Sequence, residues 1–167
     1  MNRNTALSVV SLAAVSMLAL NFSRAATTTS TAPARHFYLT KATVNGNETL
    51  TACASGYHFA SYTELVDPAV LTYSKSLGRS AADDGEGPPS DAFGWVRTGY
   101  ASNSTVNGSV PTNCNLWTSG TGSDYGEVGT FYPDAGGNNT EPAFVFASNG
   151  ACDNSQGFNF GVWCVEN

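Results

Sequence analysis

Short stretches in which apolar and polar residues alternate are separated along this chain by long polar segments. Alternation with a period of two places successive side chains on opposite faces of a strand. It predicts a first strand over 36–44. In a later strand over 93–100, Trp95 and Val96 are expected on opposite faces. The later strands are predicted at 93–100, 116–119, 130–132, 143–147 and 161–165.

Helix signals begin just after the first strand. Asn45 and Gly46 form a turn signal. Asn47 is a suitable N-cap for a short helix that runs to Cys53. Leu50 and Cys53 are three positions apart, so such a helix would carry both on one face.

A second group of helix signals follows. Glu64 stands three residues after Ser61, the spacing of a capping box, so a helix is predicted to begin at Ser61. Asp67 and Pro68 suit the N-cap and first turn of a further helical segment that ends near Lys75.

Two long segments have the composition of loops. Residues 78–91 include the run Asp-Asp-Gly-Glu-Gly-Pro-Pro, and 101–112 is rich in Ser, Asn and Gly. Two early helices followed by five or six short strands predict an α+β domain.

The first 25 residues have the features of a secretory signal peptide. Arg3 supplies a positive charge, 6–20 is an apolar run, and small residues precede a cleavage point after Ala25. An uncleaved anchor is the alternative, although the apolar run is short for a bilayer span. No other segment is expected to cross a membrane.

The rest of the chain divides into two predicted regions. Residues 26–35 are mostly Thr, Ser, Ala and Pro, a composition that predicts a flexible tether. Residues 36–167 are then a single domain, large enough to bury one core.

The charge balance limits the partners. Loss of Arg3 and Arg24 with the signal peptide would leave five of the seven basic residues against 13 acidic ones, and the net charge would change from −6 to −8. An acidic surface repels phosphate backbones, so nucleic acid is not an expected partner. Only 12% of the residues are charged, which is typical of a loop-rich secreted or cell-surface domain.

All four cysteines lie in the predicted domain, at Cys53, Cys114, Cys152 and Cys164. An even number behind an export signal predicts two disulfides in an oxidising compartment. The residues alone leave three pairings open. Metal ligation is not indicated, because there is no Cys-x-x-Cys and the two histidines have no ligand spacing with the cysteines.

Three pieces of sequence, in this order, resemble a known family. They are 53–65 (Cys-Ala-Ser-Gly-Tyr-His-Phe-Ala-Ser-Tyr-Thr-Glu-Leu), 116–119 (Leu-Trp-Thr-Ser) and 162–165 (Val-Trp-Cys-Val). Together they resemble C-type-lectin-like domains, in particular the bacterial branch with the major paralogous domains and the C-terminal domains of collagen-like adhesins. The resemblance implies two short helices, a small, mostly antiparallel twisted sheet with long loops, and nested disulfides Cys53–Cys164 and Cys114–Cys152.

The family's sugar-binding calcium site is not expected here. Vertebrate-type lectins hold the ion with Glu-Pro-Asn and a later Trp-Asn-Asp, whereas this chain has Glu141-Pro142-Ala143 and, further on, Phe-Asn-Phe at 158–160. Both replacements remove oxygen ligands that calcium requires.

Two other groups of oxygen-bearing residues are candidate calcium sites, with solvated loops as the alternative. The first is Asp83, Asp84 and Glu86. The second region contains Asp134, Asn138, Asn139, Glu141, Asp153 and Asn154. Its candidate calcium ligands are Asp134, Glu141, Asp153 and Asn154, and its candidate contacts for a polar ligand are Asn138, Asn139 and Glu141.

The aromatic residues divide by context. Trp95, Trp117 and Trp163 lie in predicted strands and are expected in the core. Tyr100, Tyr125 and Tyr132 adjoin polar loops and are candidates for stacking on a sugar or contacting a protein. His58 is expected to have a structural role.

The predicted function is that of a secreted or surface-attached, non-enzymatic module that binds a carbohydrate or an extracellular protein. A self-associating subunit of an extracellular assembly is the alternative. A third interpretation is a small hydrolase with paired carboxylates, such as Asp84 and Glu141. Carboxylates are the remaining candidate catalytic groups, because no nucleophile with an adjacent base is recognisable. Calcium is the one cofactor with candidate ligands.

Overall fold

A computed structural model describes residues 34–80, 85–90, 92–99, 113–132, 143–155, 157 and 159–167. All of them belong to one compact unit, Thr31–Asn167. The predicted signal peptide, nearly all of the tether and the loop 101–112 lie outside the described residues.

Within the described ranges, seven strands form one sheet that curls into a half-barrel. Six of them follow the order β3-β1-β7-β4-β5-β6, and β2 also pairs with β7. The β1–β3 and β4–β7 pairs are parallel and the other four are antiparallel. The strands are β1 Arg35–Leu39, β2 Tyr57–Phe59, β3 Leu71–Tyr73, β4 Gly94–Trp95, β5 Tyr125–Tyr132, β6 Ala143–Ala151 and β7 Gly161–Glu166. With its few short helices, the domain fits the predicted α+β class.

The closing strand β7 is the centre of the sheet. It pairs with β1 along one edge and with β2 and β4 along the other, so that Cys164 lies opposite both Tyr38 and Phe59. Its first residue, Gly161, faces Gly94 of β4. A Cβ at Gly94 would lie 2.8 Å from the Trp163 ring, so glycine is required for this close approach.

The first helical segment differs from its prediction. It is a 3₁₀ helix over Gly46–Thr51, and its N-cap is Asn45, whose N–H donates to Glu48 Oε2 at 2.8 Å. The predicted cap at Asn47 is therefore wrong. Three residues per turn bring Gly46 and Thr49 to the buried face. Leu50 consequently points outward and is 55% exposed, so the predicted face shared with Cys53 is also wrong.

The second group of signals is confirmed in its first part. Helix α1 covers Tyr62–Leu65, with Ser61 as N-cap and Glu64 closing the capping box. A 3₁₀ turn at Pro68–Val70 follows, but the predicted helix does not continue to Lys75. The next three residues form β3 instead, because they pair with β1 and bury Tyr73 against Phe37.

The predicted strand over 116–119 is wrong. Asn113–Trp117 is a helical turn in which all five residues have positive φ, and we call it the left-handed turn. The predicted strand over 93–100 is reduced to Gly94–Trp95, and the one at 130–132 extends back to Tyr125. The predictions near 143–147 and 161–165 correspond to β6 and β7. The strand predicted over 36–44 is β1, which ends at Leu39, so its second half is wrong.

The core contains the three tryptophans, as predicted. Trp95 and Trp163 are fully buried, and Trp117 is 6% exposed. The indole N–H of Trp95 donates to the Val44 carbonyl, and that of Trp163 donates to Gly129, each at 2.9 Å. Disulfides join Cys53 to Cys164 and Cys114 to Cys152, so the nested pairing is confirmed.

Candidate functional site

A groove of about 460 Å³ opens between the start of α1, the chain after β4 and the left-handed turn. Its apolar lining is Leu116 and Trp117. The other described residues that line it are Ser61, Thr63, Arg97, Thr98, Gly99 and Asn113.

One wall of the groove is under backbone strain. The φ angles of the left-handed turn lie between 43° and 63°. For L-residues this conformation costs roughly 1–2 kcal/mol each, with asparagine the most tolerant of the side chains. Cys114, Leu116 and Trp117 therefore carry most of the strain, on the order of 3–6 kcal/mol together.

Tertiary contacts hold the turn in place. The disulfide fixes Cys114 to Cys152, which follows directly after β6. The N–H groups of Thr118 and Ser119 both donate to the Cys114 carbonyl, at 3.0 and 2.8 Å. Gly126 of β5 lies against the disulfide, where a Cβ would come within 2.8 Å of Cys114 Sγ.

Aromatic rings form the floor beneath the turn. Trp117 meets Phe59 edge to face, with ring centroids 4.8 Å apart, and meets Trp95 at 6.0 Å. Phe160 also packs against Trp95, with ring centroids 4.9 Å apart. Because Trp117 is anchored inward, Leu116 is directed outward and is 70% exposed. The groove is therefore preformed, with an apolar side chain on its rim.

Arg97 is the one charged residue among the described residues that line the groove. Its backbone is held on both sides, since its N–H donates to Ala60 at 3.0 Å and its carbonyl accepts from the Tyr62 N–H at 2.7 Å. The exposed guanidinium lies 5.7 Å from the centre of the Phe59 ring. This is the range of a cation–π contact.

A hydrogen-bonded network lies behind the polar side of the groove. The Ser61 N–H and hydroxyl donate to Glu64 Oε2 at 3.0 and 2.8 Å, while Glu64 Oε1 meets His58 Nε2 at 3.0 Å and the Arg35 guanidinium at 3.2 Å. Partial burial opposes ionisation of Glu64, but the bonds from Ser61 and His58 outweigh it and hold its pKa at about 2.

The network is structural in its geometry. His58 Nε2 faces Glu64 and not the Ser61 hydroxyl, and its Nδ1 lies 2.8 Å from Asn167 Oδ1. A nucleophilic serine needs a base positioned on its own hydroxyl, and here the hydroxyl is directed to an ionised carboxylate. The arrangement joins α1 and β2 to the end of β7, which agrees with a structural role for His58.

Of the first predicted acidic group, the structure describes Glu86 alone. Asp83 and Asp84 lie outside the described residues. Glu86 is exposed and lines a shallow pocket of about 300 Å³ with Phe37, Tyr73 and other residues.

The second predicted group is likewise divided. Asp134, Asn138, Asn139 and Glu141 lie outside the described residues. Hydrogen bonds from the Ser155 hydroxyl and N–H lower the pKa of Asp153.

Asn154 is engaged by the backbone. Its Nδ2 donates to the Val44 carbonyl at 2.6 Å, and its Oδ1 accepts from the Phe160 N–H at 3.4 Å. Among the residues that the structure describes, no three His, Cys, Asp or Glu side chains are grouped as metal ligands would be.

The candidate tyrosines are not gathered at one place. Tyr100 lies outside the described residues, Tyr125 is half-buried at the start of β5, and Tyr132 is 51% exposed at its end. Neither Tyr125 nor Tyr132 lines the groove.

Sequence reasoning also missed a polar pair on β5 and β6. Glu127 and Asn149 are directly opposite in the register, and the Asn149 amide nitrogen, turned toward the carboxylate, lies 3.1 and 3.2 Å from its two oxygens. Burial raises the pKa of Glu127. The register that unites the two residues has no local signal in the sequence.

The groove had only weak signals in the sequence. The two asparagines that flank Cys114 are the residue type that best tolerates positive φ after glycine, which is a hint of the left-handed turn. Arg97 was not singled out, because its significance depends on what surrounds it in three dimensions.

Comparison with known proteins does not extend this description. The chain matches no protein-family model, no curated protein and no solved structure. Within the described residues, no helix has the length and apolar character needed to span a membrane.

Proposed function

We propose that this chain is an exported binding domain that recognises a carbohydrate in the groove beside the left-handed turn. The turn is the observation that carries the proposal. Five residues are held in a costly conformation by a disulfide and by buried rings. Such strain persists only where the surroundings impose it, and it is concentrated at ligand sites.

The chemistry of the lining supports a sugar as the occupant. A sugar presents hydroxyl groups around its ring and apolar C–H patches on its faces. Ser61 and Thr63 bring hydroxyl groups and Asn113 brings an amide group to the lining. Because the Ser61 hydroxyl donates to Glu64, its oxygen is an acceptor for a sugar hydroxyl. Leu116 and the edge of Trp117 bring apolar surface. The volume of about 460 Å³ is typical of small-ligand sites, and a preformed groove reduces the ordering cost of binding.

The disulfides support export and the lectin-like part of the proposal. Two disulfides are typical of proteins in an oxidising compartment, which agrees with the signal-peptide features at the start of the chain. The Cys53–Cys164 bond and the β1–β7 pairing bring the two ends of the domain together. This is the arrangement that the resemblance to C-type-lectin-like domains leads us to expect.

Blocking the groove tests the proposal. Thr63 is exposed on α1 and lines the groove, so Thr63→Trp should fill it and abolish binding on a glycan array. Thr51→Trp is the matched control, because Thr51 is exposed on the first 3₁₀ helix and does not line the groove. A wild-type array without hits, or equal binding by both variants, would refute a sugar site here.

Chelation separates the groove from the acidic loops. The described lining contains no carboxylate, so binding in the groove should be unchanged by EDTA. Loss of glycan binding in EDTA would move the site to a calcium-dependent region such as the one around Asp153.

A second candidate function is self-association through β6. This strand of nine residues is at the edge of the sheet, and no described strand pairs with its outer side. Exposed edges of this length are templates for pairing with another chain. Sedimentation velocity over a hundredfold concentration range should then show assembly, and a constant monomer mass would eliminate this function.

A further inference from the structure

We propose that the groove selects saccharides that carry a carboxylate, with the Arg97 guanidinium as the partner of that group. The inference rests on the proposed carbohydrate site and adds the class of sugar. It follows from the charges that the described residues place in and around the groove.

Arg97 differs from every other described basic residue in how its side chain is used. The guanidinium contacts the Phe59 ring, and no described residue accepts a hydrogen bond from it or forms a salt bridge with it. The other four all donate to described acceptors. Arg35 bonds Glu64 and the Glu166 carbonyl, Lys41 bonds Ser76, Lys75 bonds Gly85 and Arg79 bonds Lys41.

The Arg97 side chain also extends from a fixed backbone over a fixed ring. The backbone of Arg97 is bonded to Ala60 and Tyr62, and the buried Phe59 ring beneath the side chain is fixed against Trp117. A positioned arginine binds a carboxylate with two parallel N–H···O bonds, which makes it a specific receptor for that group.

The surroundings favour a single anionic group over a polyanion. The whole chain has a net charge of −6, so a highly charged polymer is repelled at long range. Within the groove, however, Arg97 is the one charged residue of the described lining. A sugar with one carboxylate, such as a terminal uronic or sialic acid, meets the local cation, and the Glu64 carboxylate behind the groove is already paired with Arg35.

The test compares one sugar with and without its charge. Titration calorimetry would measure the affinity of the full chain for a uronic acid glycoside and for its methyl ester. A charge-assisted hydrogen bond contributes about 1.5–3 kcal/mol, so the acid should bind roughly 10- to 100-fold more tightly. The preference should decrease with salt. Arg97→Gln should remove it, while Arg79→Gln, which loses the same charge outside the groove, should keep it.

The outcomes separate this inference from the proposed function. Equal affinity of the wild type for acid and ester would overturn the role of Arg97 while the carbohydrate site stands. A preference that survives Arg97→Gln would also overturn it. Failure of both sugars, together with a blank glycan array, would overturn the inference and the proposed function. The comparison of acid with ester uses the wild type, so it holds even if the variant does not fold.

Discussion

Replacing Leu116 by glycine should stabilise the domain relative to replacing it by alanine. In the left-handed turn the residue has φ 57° and ψ 36°, where a Cβ costs roughly 1–2 kcal/mol. Alanine keeps that Cβ and glycine removes it. Glycine loses more backbone entropy on folding than alanine does, and this loss reduces the gain by roughly 0.5–1 kcal/mol. Since Leu116 is 70% exposed, both variants lose the same small contact, and the glycine variant should be about 1 kcal/mol more stable.

The measurement is unfolding in urea and by heat, followed through tryptophan fluorescence. For a domain of about 130 residues, 1 kcal/mol corresponds to roughly 3–5 °C in Tm. Leu50 provides the control, because it is similarly exposed but lies in a right-handed 3₁₀ helix. There glycine should be less stable than alanine. A strand at this position, as the sequence predicts, would also make Leu116→Gly less stable than Leu116→Ala. That result would contradict the left-handed turn.

Three further variants test other parts of the structure. The pKa of Glu64 is lowered from 4.5 to about 2 on folding, so its contribution is present above pH 4.5 and lost as the pH falls toward 2. Glu64→Gln should therefore flatten the fall in Tm over this range, whereas the exposed Glu86→Gln should not; identical profiles would contradict the network. Burial raises the pKa of Glu127, which makes its ionised form unfavourable in the fold, so Glu127→Gln should raise Tm at pH 7 and leave it unchanged at pH 3. A gain at both pH values would show another cause. Replacing Cys114 and Cys152 by serine opens a loop with a sequence separation of 38, so the free energy of unfolding in urea should decrease by about 4 kcal/mol. A decrease below 1 kcal/mol would contradict a stabilising role of this disulfide.

Local sequence signals were sufficient for features formed by residues that are close together in the sequence. The spacing of Ser61 and Glu64 is the capping box of α1, and the alternation near the end of the chain is β7. The even number of cysteines agrees with two disulfides. Each of these features depends on residues a few positions apart, or on a count, so the sequence contains the whole of the information.

Other elements were decided by distant neighbours. Residues 71–73 have helical signals before them, yet they become a strand because β1 offers a pairing edge. The segment around Leu116 has the pattern of a strand, but the bond from Cys114 to Cys152 and the burial of Trp117 hold it in the left-handed region. A local preference of about 1 kcal/mol per residue is outweighed when a covalent bond and buried rings act together.

The sequence by itself therefore determined the class of domain, the N-cap of α1 and the tryptophans of its core. It did not determine the groove. Arg97 and Leu116 are 19 positions apart, and the chain that separates them has no pattern that predicts their approach. Only the folded arrangement of β4, β5 and β7 brings them to one surface, because a binding site is formed by contacts between elements and not by the preferences within them.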